Sequence, residues 1–175
     1  MRSMAVTLFT MMLVCLSCSG QAPADSSIPK GLKLVWSDEF DVDGAPDPTK
    51  WDYSIGGNGW GNGEIQKYTD KRENSFVKGG KLTIVASNDK GLWTSARLKT
   101  QYKGDWTYGY IEVRAKLPKG VGTWPAIWMM PTSEVYGAWP RSGEIDIVEH
   151  VGYDQDKVHT TIHTGAYNHR INRAS

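Results

Sequence analysis

The chain has 175 residues, enough for one domain with a single core. Its 20 Lys and Arg against 19 Asp and Glu leave a formal charge of +1, without the basic excess or stripe that marks nucleic-acid binders. The 8 Trp, 8 Tyr and 19 Gly instead favour an all-β chain of short strands and turns, with rings suited to the apolar faces of sugars.

Residues 1–17 read as an export signal. Arg2 supplies the positive start, and the run from Val6 to Leu16 is apolar but too short to span a bilayer comfortably. Both cysteines, Cys15 and Cys18, fall in this region, so the remainder has no internal disulfide. Leu16-Ser17-Cys18 resembles a bacterial lipoprotein signal, which implies membrane attachment on the cell envelope through a lipidated Cys18. Cys15 stands where that signal usually has an aliphatic, so ordinary secretion is the alternative. Residues 18–31 are small, polar and proline-bearing and read as a tether.

The folded part is expected over residues 32–175. Leu32 to Trp36 reads as a first strand, and turn-rich residues 41–48 lead into Trp51-Asp52-Tyr53. Gly56 to Gly63 holds too many glycines for a strand or helix and reads as a loop, a cleft wall carrying Asn58, Trp60 and Asn62. It has no Lys-Ser/Thr after it and opens no helix, which argues against a phosphate cradle. Further strands are expected at Lys81–Ala86, Ser95–Thr100, Tyr108–Leu117, Pro125–Met130 and Val158–Thr164. The third alternates cleanly, with Ile111, Val113, Ala115 and Leu117 towards a core. The last puts His159, Thr161 and His163 on one face. No stretch holds a helical period, and short strands between turns suggest a sandwich.

The stretch Ser142-Gly143-Glu144-Ile145-Asp146-Ile147-Val148-Glu149 carries the chemistry. In a strand, Glu144 and Asp146 share a face, but strict alternation puts Val148 beside them instead of Glu149. A one-residue bulge near Ile147-Val148 would return Glu149 to the acidic face. Without it, a carboxylate would point into a core at high cost. Two close carboxyls with a third group between them suit retaining glycoside hydrolysis. A solvated acidic face or a bound cation is the alternative on spacing alone.

With its flanks, Gly122-Thr123-Trp124-Pro125-Ala126-Ile127-Trp128-Met129-Met130-Pro131 and Trp139-Pro140-Arg141-Ser142-Gly143, this stretch resembles glycoside hydrolase family 16, in particular the bacterial laminarinases (endo-β-1,3-glucanases). The likeness runs from about Leu34 to Asn168. It implies a concanavalin A-like β-jelly-roll sandwich with a sugar cleft on its concave sheet. By matching position it implies Glu144 as nucleophile, Glu149 as acid/base and Asp146 as assisting carboxylate. Asn58, Trp60, Arg97, Trp124, Trp139 and His163 are expected to bind substrate, with Trp124 or Trp139 stacking on a sugar. The bulged Glu-x-Asp-x-x-Glu is the laminarinase-type spacing, as distinct from the lichenase-type Glu-x-Asp-x-Glu. The resemblance implies a monomer acting on a β-glucan polysaccharide, with no cofactor for catalysis and a structural calcium for which Glu39 is a candidate ligand. It also implies further strands beyond Asn168, so residues 32–175 are expected to form the N-terminal part of the catalytic domain, an incomplete jelly roll that is poorly soluble or inactive alone. A galactan hydrolase of the agarase or carrageenase type and a non-catalytic glucan-binding module are the rival readings; retention of all three acids argues against the latter.

Overall fold

The structure, a computed structural model, describes residues 29–171. The export signal and Cys18 lie outside the described residues. Ten short strands succeed one another: β1 (Asp52–Tyr53), β2 (Lys67–Tyr68), β3 (Ser75–Val77), β4 (Leu82–Ile84), β5 (Ser87–Asp89), β6 (Leu92–Ser95), β7 (Leu98–Lys99), β8 (Ala126–Met129), β9 (Glu144–Glu149) and β10 (His159–His163). A 3₁₀ turn, His169–Ile171, comes after them. Among the described residues there is no α-helix, as the lack of a helical period predicted.

The strands pair as β1-β7, β2-β6-β5, β3-β4 and β8-β9-β10, all antiparallel except β2 with β6. Local chemistry explains the tight turns. Between β5 and β6 the two loop residues Lys90 and Gly91 take φ of 51° and 91°, the double left-handed geometry that matches strand twist in a two-residue hairpin. Asn88 Oδ1 accepts the Gly91 N–H at 2.8 Å and closes that turn.

Val77, Ala96 and Val151 are buried apolar side chains, as is Pro46. The best-sealed group is polar. Asn74 is fully buried, and its amide donates to Val85 O at 3.2 Å and Thr94 Oγ1 at 3.1 Å while Thr69 Oγ1 donates to its Oδ1 at 2.6 Å. A buried amide so satisfied ties the start of β3 to β6 and to the end of β2.

Two expected strands are absent. Leu32 to Trp36 has no ladder, and Leu34 and Val35 are each 76% exposed. Tyr108 to Leu117 also runs without strand pairing, leaving Ile111 41% and Val113 51% exposed. Alternation describes the side chains, but a strand also needs a neighbour to take up its backbone N–H and C=O groups. The expected strand at Ser95–Thr100 is split, with Ala96 and Arg97 separating β6 from β7. Those at Lys81–Ala86, Pro125–Met130 and Val158–Thr164 form as β4, β8 and β10.

The sheet β8-β9-β10 positions the acids. Its back, where Ile145 and Ile162 stand exposed, forms an open groove of about 490 Å³.

Candidate active site

β9 carries the predicted bulge. Opposite β9, Trp128 pairs with Asp146 and its neighbour Ile127 pairs with Val148, so β8 advances one residue while β9 advances two. On the other side, β10 moves two residues from His159 to Thr161 while β9 moves three, from Glu149 to Asp146. Ile147 is the extra residue. Cross-strand partners share a face, and the partners of Glu149 and Asp146 on β8, Ala126 and Trp128, are two apart. Glu149 therefore stands on the face of Asp146. His163, Thr161 and His159 pair with Glu144, Asp146 and Glu149, which completes that face.

A tryptophan N–H holds each glutamate. Trp124 Nε1 donates to Glu149 Oε1 at 3.0 Å, and Trp139 Nε1 donates to Glu144 Oε2. The two indoles differ in exposure. Trp124 is 62% exposed, with a free ring. Trp139 is half-buried, its ring packed against His163 and His169 at 5.7 and 5.1 Å, with the Arg170 guanidinium over it at 4.6 Å.

Asp146 is the most buried of the three acids, 4% exposed. Burial, then the charges of Glu144 and Glu149 and a hydrogen bond with Glu144, push its carboxyl up to about 7; His163 works the other way. Burial and the two neighbouring charges thus favour the protonated form of the central acid, the form that can donate towards Glu144. His163 Nε2 lies 3.3 Å from Asp146 Oδ2. The other ring nitrogen of His163 is buried and has no hydrogen-bond partner among the described residues.

Arg97 joins the glycine loop to this sheet. Its guanidinium lies 4.5 Å from the ring centroids of both Trp60 and Trp128 and 5.9 Å from that of Tyr68, a placement favourable for a cation between aromatic faces. Trp60 is folded back on its own loop, donating to Gly56 O at 3.3 Å. Gly56 has φ of 149°, and a Cβ there would press on the Trp60 ring at 3.3 Å, so glycine is required. Asn58 stands exposed on the same loop. Tyr68 donates to Glu64 Oε2 at 2.6 Å, and burial with that bond holds its phenol up to about 12, a neutral donor. Glu39 is exposed, and among the described residues no three His, Cys, Asp or Glu side chains gather in one place.

The structure thus gathers Glu144, Asp146, Glu149, Trp124, Trp139 and His163, and links Trp60 and Arg97 to them through Trp128. Trp128, His169 and Arg170 were not among the predicted site residues. The signal for Trp128 was present: it lies two and four residues beyond Ala126 and Trp124, on one face of a regular strand. Nothing in the pattern of residues 164–171 announced His169 or Arg170.

Residues 37–175 match the family model described as Glycosyl hydrolases family 16. The chain belongs to this family. It is 54% identical over 164 residues to a beta-glucanase of Rhodothermus marinus, covering 90% of this chain and 57% of that protein. A glucan endo-1,3-beta-glucosidase of Cryptopygus antarcticus is 46% identical over 142 residues, covering 76% of this chain and 51% of its own. The X-ray structure of the laminarinase from Rhodothermus marinus superimposes with a TM-score of 0.78 at 56% identity, over 82% of this chain and 59% of that one. The fold is accordingly the all-β jelly roll of the family. The chain spans less than two thirds of the length of these relatives.

Proposed function

We propose that the protein is a retaining endo-glycoside hydrolase acting on β-1,3-glucan. The observation that carries this reading is the bulge at Ile147, which sets Glu149 on the face of Glu144 and Asp146. A strand built with that interruption places two carboxyls on either side of a buried third, the set that double displacement at a sugar carbon requires.

In this reading Glu144 is the nucleophile. The Trp139 N–H fixes one of its oxygens, leaving the other to attack the anomeric carbon. Glu149 protonates the departing glycosidic oxygen, and the C–O bond to the leaving sugar breaks as the bond to Glu144 forms. Water then attacks the glycosyl-enzyme, giving its proton to Glu149 and releasing Glu144. Protonated Asp146 removes one charge from the face and orients Glu144 by donating to it. The exposed ring of Trp124 is the platform for a sugar, beside the acid that its N–H holds. Arg97, Trp60 and Asn58 line the approach from the glycine loop.

Relatives named for β-glucan hydrolysis support the substrate class. Product analysis on laminarin, mixed-linkage glucan and agarose, with the full-length gene product, tests it. Release of short β-1,3-linked oligosaccharides from laminarin is expected; preferential cleavage of agarose would make the protein a galactan hydrolase, and binding of laminarin without products a glucan-binding module. The export reading of residues 1–17 fits an enzyme that meets polysaccharide outside the cell. Metabolic labelling with palmitate, lost in Cys18→Ser, tests the lipid anchor; labelling that survives the substitution contradicts it.

A further inference from the structure

Trp139 has the composition of a sugar platform but not the surroundings of one. Its ring meets His163 at 5.7 Å and His169 at 5.1 Å, and Arg170 lies over it at 4.6 Å, while its N–H is committed to Glu144. His163 and His169 also pack edge to face at 5.4 Å and 87°, so the three rings form one cluster.

The segment after β10 is built to deliver His169 and Arg170 to that ring. Thr164 N donates to Tyr167 O at 2.6 Å and Tyr167 N to Thr164 O at 3.2 Å, which closes a tight turn at residues 164–167. Asn168, 2% exposed, then locks this turn to the 3₁₀ turn at His169–Ile171. Its Nδ2 donates to Thr164 O at 3.0 Å and its Oδ1 accepts the Arg170 N–H at 3.1 Å. A buried asparagine that spends both ends of its amide on backbone fixes the direction in which residues 169 and 170 leave the turn.

We infer that His169 and Arg170 are positioning residues: they clamp the Trp139 indole so that its N–H stays aimed at Glu144, making Trp139 a holder of the nucleophile instead of a sugar platform. A cation and an imidazole over the ring restrict its rotation about χ1 and χ2. Without them the indole has room to turn, and Glu144 loses the donor that fixes one oxygen. The chemical consequence rests on the proposed role of Glu144 as nucleophile; the clamp itself does not.

The test separates the two. In the ¹⁵N-labelled protein, the Trp139 indole N–H resonance is assigned by its loss in Trp139→Phe. It is expected to lie downfield and to exchange slowly with water. In Arg170→Ala, in His169→Ala and most of all in the double variant it is expected to move upfield and exchange faster, while the other indole resonances stay in place and report an intact fold. Arg170→Lys, which keeps a cation over the ring, retains most of the wild-type position. On laminarin the double variant loses about tenfold in kcat with KM little changed, as expected when an interaction with the reacting group is weakened and substrate binding is not. An unmoved Trp139 resonance in a folded double variant overturns the clamp whatever the activity. A resonance that responds as expected, with a full-length gene product that hydrolyses no glycan, upholds the clamp and overturns the reaction assigned to Glu144.

Discussion

Asp146→Asn tests the electrostatics of the acidic face directly. The folded protein raises the Asp146 carboxyl from 3.8 to about 7, first through burial and then through the charges of Glu144 and Glu149. The unfolded chain therefore loses this proton at lower pH than the folded one. Between those two values the folded state carries the extra proton, so stability falls as pH rises and the loss is complete above the folded value. At 1.36 kcal/mol per unit, a shift of about three units costs about 4 kcal/mol in alkaline solution and nothing below the unfolded value. The Asn side chain removes the ionisation and keeps a donor for Glu144 and an acceptor for His163, since Oδ2 of Asp146 already faces His163 Nε2 at 3.3 Å. Urea unfolding of both proteins at about pH 4.5 and about pH 8.5 reads the effect. The variant is expected to exceed the wild type by about 1 kcal/mol at the lower pH, where the unfolded carboxyl is already mostly ionised, and by up to about 4 kcal/mol in alkali. Equal differences at the two pH values, or a variant that is weaker in alkali, would refute a buried, protonated Asp146.

Further outcomes follow from the register and from the buried amide. Inserting one alanine between Val148 and Glu149 turns Glu149 to the back of the sheet; glucan turnover is expected to fall to background, whereas deletion of Ile147, which leaves all three acids on one face by strict alternation, retains measurable activity. Loss of activity in the deletion together with activity in the insertion would contradict the assigned bulge. Asn74→Ala takes the Asn74 amide away from Val85 O and from the hydroxyls of Thr69 and Thr94, which keep their contacts with Lys71 N and Ser87 Oγ, and is expected to cost about 2–4 kcal/mol in urea unfolding. A cost under about 0.5 kcal/mol would mean that the network relaxes onto other partners.

The bulge at Ile147 was legible because a carboxylate out of phase with its neighbours is expensive unless the backbone corrects it. The face of β10 that carries His159, Thr161 and His163 was legible too, since alternation within a strand is local. Leu32–Trp36 and Tyr108–Leu117 show where such reading stops: they alternate, but no neighbour supplies a ladder, and pairing is a property of the fold. The proton on Asp146 was equally out of reach, because Glu144, Asp146 and Glu149 differ in burial and not in type. Arg97 reads as a cleft residue, but its place between Trp60 and Trp128 depends on three segments meeting. The different work of two similar tryptophans, Trp124 free and Trp139 enclosed, came only from the residues that the turn after β10 lays against one of them.

The configuration of azide adducts tests the central assignment most directly. With Glu144→Gly, azide is expected to take the nucleophile's place and return a glycosyl azide of inverted, α configuration from an activated β-glucoside. With Glu149→Gly, azide is expected to attack the glycosyl-enzyme and return the retained, β configuration. Swapped configurations would exchange the two roles, and wild-type turnover in Glu144→Gln would remove Glu144 from the chemistry altogether.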